Sequence, residues 1–171
     1  MKALALFIFL LFGTWITNAQ IQSEEITVHN KEIELPGTLT YSKENTPLII
    51  WVHGSGPVDR NGNQPAQNVN SNYIQQFRVA INTKNIAFFS YDKRTANKEN
   101  SAFFKDTKIM DFALDAQAVV DHFKNKKIFS EIILIGHSQG SLVAMFASKN
   151  IAKYISLAGA GETIDKILVQ Q

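Results

Sequence analysis

The chain has 171 residues, 45% of them hydrophobic and 19% charged, enough for one globular core and too apolar for a disordered segment. Its formal net charge is +2, acids and bases are mixed, and the densest basic groupings, "KNKK" at Lys124 to Lys127 and "DKR" at Asp92 to Arg94, are short. That excludes a nucleic-acid-binding surface, and the absence of cysteine excludes disulfides, thiol chemistry and a lipid-modified cysteine.

The opening "MKALALFIFLLFGTWITNA" has one early cation at Lys2, an apolar run from Ala3 to Ile16, and the small residue Ala19 at its polar end. This is the pattern of a secretory signal peptide, and its run of about 14 residues falls short of the roughly 20 that a spanning helix needs. Residues 1–19 therefore read as a leader cleaved after Ala19, and residues 20–171 as one exported domain with no stable membrane anchor. Loss of Lys2 leaves a formal net charge of +1.

From Glu24 to Tyr41, apolar and polar residues alternate on either side of a polar break, "HNKE". The pattern predicts an antiparallel hairpin with His29 at its turn. Leu48 to Val52, "LIIWV", is apolar throughout, as a parallel strand buried on both faces must be, and it runs into "HGSGP". After the turn-rich "VDRNGNQPAQNVNSN", Tyr73, Phe77 and Ala80 recur at helical spacing, and Ile86 to Tyr91 reads as a second buried strand. Beyond the polar loop "TANKENSAFFKDTK", Phe112, Ala116, Val119 and Phe123 define one helix face, with His122 beside it at the edge of the core. Glu131 to Gly136 is the next strand, "QGSLVAMFASKN" the next helix, and "KYISLAGAG" a further strand. Strand and helix alternate after the hairpin. The predicted fold class is α/β, a doubly wound, mainly parallel sheet whose strand-following loops share one edge.

Three of those loops carry chemistry: "HGSGP", "DKRTANK" and "HSQG". A bare G-x-S-x-G arises by chance in roughly one chain in twenty of this length. Here a strand, "EIIL", precedes the serine and a helix, "SLVAMFA", follows it, which is the context a nucleophile elbow requires. Side chains two residues before and two after the nucleophile would strike neighbouring backbone, and Gly136 and Gly140 remove them. Ser138 is the candidate nucleophile. The oxyanion of an acyl transfer needs backbone donors: the Gln139 N–H is one, and the "HGSG" loop, with Gly54 allowing close approach, offers the Ser55 N–H as the other. His53 reads as a loop-shaping residue rather than a base. No metal or organic cofactor is implied.

The pair "HGSGPVDRNGN" and "GHSQG", with "YDKR" between them, resembles the α/β-hydrolase superfamily, in particular its esterase branch of serine aminopeptidase-like and dienelactone-hydrolase-like proteins. The likeness runs from about Leu35 to Gln171, and "SLAGAGETIDKILVQQ" is similar to the segment that follows the elbow helix and enters a helical cap. The resemblance implies a small-molecule ester substrate, and it makes Asp59, Arg60 and Asp92 to Arg94 ordering elements of the pocket rim. "TANKEN" departs from the glycine-rich turn that relatives carry after the arginine, leaving the conformation of the rim loop open.

In this superfamily the triad runs in the order serine, acid, histidine. All four histidines, His29, His53, His122 and His137, precede Ser138, and the only later carboxylates are Glu162 and Asp165, where the cap would begin. His137 adjoins the nucleophile, but neighbouring side chains on a sharp turn diverge. The sequence therefore reads as the N-terminal part of a hydrolase domain, lacking cap, last strands, acid and histidine, and inactive on its own. Two alternatives stand beside it: a non-catalytic α/β binding domain, and a thioesterase, acyltransferase or peptidase of the same superfamily. The leader reading gives a first expectation, that protein recovered from an expressing cell begins at Gln20 and lies outside the cytoplasm. Terminal sequencing that finds Met1 on soluble cytoplasmic protein overturns it.

Overall fold

The computed structural model describes residues 20–149, 151–162, 166 and 169; the leader reading falls on residues 1–19, outside the described residues. Strands β1 (Gln22–Asn30) and β2 (Ile33–Tyr41) form the antiparallel hairpin, with Lys31 at φ 54° in the turn. The ladder continues to the pair Asn30 and Ile33, so His29 lies inside β1 opposite Glu34 and not at the turn. Strands β3 (Leu48–Val52), β4 (Ala87–Tyr91), β5 (Ile132–His137) and β6 (Lys153–Leu157) follow. Helices α1 (Tyr73–Asn82), α2 (Ile109–Lys126) and α3 (Gln139–Ala147) follow β3, β4 and β5 in turn.

The strands lie in the order β1-β2-β4-β3-β5-β6, parallel from β4 to β6 and antiparallel at the hairpin and between β2 and β4. From β3 the chain goes to β4 on one side and then returns past β3 to β5 on the other. Loops that leave β3 and β5 in opposite directions open a crevice at the carboxyl edge.

Alternate residues of β3 enter two different cores. Leu48, Ile50 and Val52 pack with Leu39, Phe89 and Leu134 beneath Val119 and Phe123 of α2 and Val143 of α3. Ile49 and Trp51 pack on the other face with Phe88, Ile133, Ile135 and Ile74 of α1. A strand covered on both faces has no position left for a polar residue, and this is why these runs read as continuously apolar. The α2 face is the predicted one, with His122 half-buried and edge-on to Phe123 at 5.0 Å. The α1 face is rotated from the predicted one: Ala80 is exposed, while Ile74, Arg78 and Asn82 are buried. Arg78 holds an inward position because its guanidinium donates to Asn61 Oδ1 at 2.8 Å and Ser90 Oγ at 3.4 Å.

The last strand is shorter than the apolar pattern suggested, ending at Leu157, with the next residue, Ala158, at φ 50°. Among the described residues nothing pairs with the outer side of β6. Ile155 is 40% exposed there, and Leu142, Met145 and Phe146 of α3 are 44–50% exposed. No described helix is long and apolar enough to cross a membrane. An open strand edge beside apolar surface is a template for association. The chain is therefore expected to aggregate on mild heating, and Ile155→Lys to delay the rise in light scattering without shifting the urea midpoint. Equal scattering from the two proteins counts against this account.

Candidate active site

Ser138 joins β5 to α3 with φ 53° and ψ −123°, a conformation that costs a non-glycine residue about 1–3 kcal/mol and survives only where surrounding structure imposes it. The surroundings here are backbone. A Cβ on Gly136 would lie 2.6 Å from Ser141 Cα and closer still to the Gly140 carbonyl oxygen. One on Gly140 would lie 2.7 Å from the His53 carbonyl carbon and closer to the Val52 and His53 oxygens. The turn is further fixed by the Ser138 N–H donating to the Leu157 carbonyl at 2.9 Å and the Ser141 hydroxyl donating to the Gly136 carbonyl at 2.8 Å.

The loop after β3 comes up against this elbow. A Cβ at Gly54 would stand 3.4 Å from Ser138 Cβ and 3.2 Å from His137 Nδ1. The elbow serine, Gln139 and the Gly54–Ser55 peptide thus meet at the carboxyl edge. Among the described residues, neither the Ser55 nor the Gln139 N–H meets a hydrogen-bond acceptor. Backbone donors beside a strained serine at a helix N-terminus are suited to an anion.

The histidines point elsewhere. His137 stacks on Trp51, with ring centroids 6.1 Å apart and planes at 26°, and packs against Tyr73 at 5.7 Å. His53 is 2% exposed, its Nε2 donates to the Tyr91 carbonyl, and burial drives its pKa down to about 4. It is a neutral strut between β3 and β4. Glu162 lies 3.9 Å from Lys166, and Asp165 falls outside the described residues. Among the described residues no histidine or carboxylate hydrogen-bonds the Ser138 hydroxyl, and no group of three or more His, Asp or Glu side chains is placed to hold a metal ion.

The loop after β4 is tied down by charge. Asp92 accepts from the Arg60 backbone N–H at 2.8 Å and from its guanidinium at 3.0 and 2.9 Å, and Arg60 reaches on to Glu25 of the hairpin. Asp59 closes its own turn, accepting from the N–H groups of Asn61 and Asn63 at 2.8 Å each. Arg94 makes a buried bidentate pair with Asp115 of α2 at 2.6 and 2.7 Å. The segment "TANKEN" leads into a short 3-10 helix, Lys98–Phe103, docked on β2 by Asn100. The Asn100 side-chain amide accepts from the Glu34 N–H at 2.9 Å and donates to the Glu34 carbonyl at 2.8 Å.

Lys93 is the residue that sequence reasoning placed on the rim without seeing its role. It is 5% exposed, and Nζ donates to the Gly54 carbonyl at 2.8 Å and to Gln139 Oε1 at 2.9 Å while lying 4.2 Å from the centre of the Phe112 ring. Nothing in "DKR" separates a buried cation from a solvated one.

No family model matches the chain. In sequence it is 25% identical over 134 residues to Esterase EstD of Thermotoga maritima, a match that covers 75% of this chain and 30% of that protein. In structure it is similar to a dienelactone hydrolase from Anabaena variabilis, with TM-score 0.64, 19% identity, and coverage of 82% of this chain and 64% of that one. The chain has the α/β-hydrolase fold. Est1E from Butyrivibrio proteoclasticus agrees, with TM-score 0.53, 22% identity, and coverage of 72% and 44%, as does an esterase of Pyrococcus furiosus, with TM-score 0.60, 17% identity, and coverage of 81% and 51%. The chain spans about a third of the curated relative's length and about half to two thirds of these solved chains.

The state of His53 makes stability depend on acid. Its folded pKa of about 4 lies below the ordinary histidine value of 6.5, so from about pH 6.5 downward the unfolded chain takes up a proton that the fold refuses. Stability then falls with pH, by about 3 kcal/mol at pH 4. The slope of unfolding free energy against pH between 6.5 and 4 is expected to be shallower in His53→Gln. Parallel curves for the two proteins overturn the assignment of His53 as a buried neutral strut.

Proposed function

We propose that Ser138 is the nucleophile of a carboxylic-ester hydrolase working through an acyl-enzyme, with the N–H groups of Ser55 and Gln139 receiving the oxyanion. The observation that carries this reading is the elbow itself, a serine held at φ 53° between glycines that admit no side chain. Attack of the Ser138 oxygen on the ester carbonyl carbon would place the developing negative charge against the two free donors. Collapse would expel the alcohol, and water would then release the acid.

That sequence needs a base to take the serine proton and an acid to orient the base. Neither stands beside Ser138 among the described residues, and the reading assigns both to residues other than these. We further propose that the protein is exported, on the strength of the leader pattern. Support for an ester as substrate comes from the likeness to an esterase. That no base stands beside Ser138 among the described residues is what favours the second reading, a non-catalytic binding domain.

Loss of a triad histidine lowers turnover by about 10⁴ to 10⁶. The 171-residue chain is therefore expected to hydrolyse p-nitrophenyl acetate barely above background, with Ser138→Ala changing little. A fluorophosphonate should still label it slowly, with the adduct on Ser138 by mass spectrometry. No adduct there favours the binding domain. Brisk turnover that Ser138→Ala abolishes would instead place a base within this chain.

A further inference from the structure

A lysine that is 5% exposed and has no carboxylate within 4.0 Å among the described residues is an unusual occupant of a protein interior. Buried cations are normally paired, and a methionine would fill the same volume without the desolvation cost. What Lys93 does touch is specific. Its ammonium donates to one atom on each of the two loops that carry the oxyanion donors, the Gly54 carbonyl and the Gln139 side chain. The Phe112 ring, 4.2 Å away, supplies the electron-rich face beneath it.

From this geometry we propose that Lys93 is a positioning residue that aims the Ser55 and Gln139 N–H groups at the reacting oxygen. The inference rests on the reading of Ser138 as nucleophile. The Gly54 carbonyl and the Ser55 N–H belong to one peptide, and in a trans amide they point in opposite directions. Holding the oxygen therefore sets the direction of the N–H. A cation on the carbonyl also polarises that amide, and hydrogen bonds in series strengthen one another by about 10–30% each. The same ammonium anchors the side chain of Gln139, whose N–H is the second donor, so one charge fixes the separation of the pair. Burial lowers the Lys93 pKa to about 8, which leaves the amine charged at neutral pH.

The test uses reagents that differ only in the atom the donors must receive: a dialkyl phosphonofluoridate bearing P=O and its thiono analogue bearing P=S. With either one, a bond forms between the Ser138 oxygen and phosphorus, the P–F bond breaks, fluoride leaves, and the hydroxyl proton passes to buffer. Sulfur is a poor hydrogen-bond acceptor, so aimed donors raise the ratio of oxo to thiono labelling above that of the two reagents with hydroxide. Lys93→Met is expected to cut oxo labelling by about 10-fold to 100-fold and to pull the ratio toward the hydroxide value. Gln139→Met keeps the N–H but removes the anchor, so it should move the ratio the same way and answers the question if Lys93→Met does not fold. An unchanged ratio in both variants overturns the proposal, as does an equal loss with both reagents, which marks a merely structural lysine. Wild-type chain that gives no Ser138 adduct with either reagent overturns the nucleophile reading and this inference with it.

Discussion

The site depends on one steric fact, the contact of backbone with backbone where α3 meets β3. The carbonyls of Val52 and His53 occupy the space a Cβ of Gly140 would need, and Gly140 and Ser141 occupy the space needed by a Cβ of Gly136. With no side chain between them, the helix starts directly against the sheet and the residue linking it to β5 must turn within one position. Ser138 makes that turn at a positive φ, which the packed backbone on either side imposes. The strain is confined to that residue and is held there by hydrogen bonds from β6, where Leu157 accepts from the Ser138 N–H.

Around that contact the structure uses buried polar groups where apolar packing would have sufficed. His53 bridges β3 to β4 through a carbonyl, Lys93 bridges the loops after β3 and β5, and Arg94 bridges the loop after β4 to α2. Apolar contacts tolerate sliding, whereas a hydrogen bond at 2.6 to 2.9 Å does not. Three loops that leave three different strands therefore meet in a fixed relation, although those after β3 and β4 run through residues 53–72 and 92–108 before the next α-helix begins. Arg60 extends the same principle outward, from Asp92 to Glu25 on the hairpin.

The parts legible in the sequence are those where chemistry and pattern coincide. Strands buried on both faces have to be apolar at every position, so β3, β4 and β5 could be placed within a residue or two, and the elbow announced itself by its glycines. The misplaced features are those where a polar residue does an apolar residue's job. Arg78 and Asn82 face inward on α1, so a search for apolar spacing selected Ala80, which is exposed. Lys93 carries the charge expected of a surface residue and is buried, with its partners supplied by residues 39 and 46 positions away. No local pattern encodes such a partnership. His29 shows the smaller error of reading a polar break as the turn itself, when the ladder runs to the next residue.

Asn100 illustrates what such partnerships demand. Its planar amide gives Glu34 an acceptor and a donor side by side, as a neighbouring strand would, so β2 gains one rung of sheet from a side chain. An aspartate there would set a negative oxygen against the Glu34 carbonyl, and a serine could satisfy only one of the two groups. The segment after Arg94 is thus held on β2 by side-chain amides, with Asn97 also donating to the Glu34 carbonyl at 3.2 Å, and Asn100 donates back to the Arg94 carbonyl at 3.3 Å, so an insertion or deletion between Arg94 and Asn100 would break the tie between the rim and the strand.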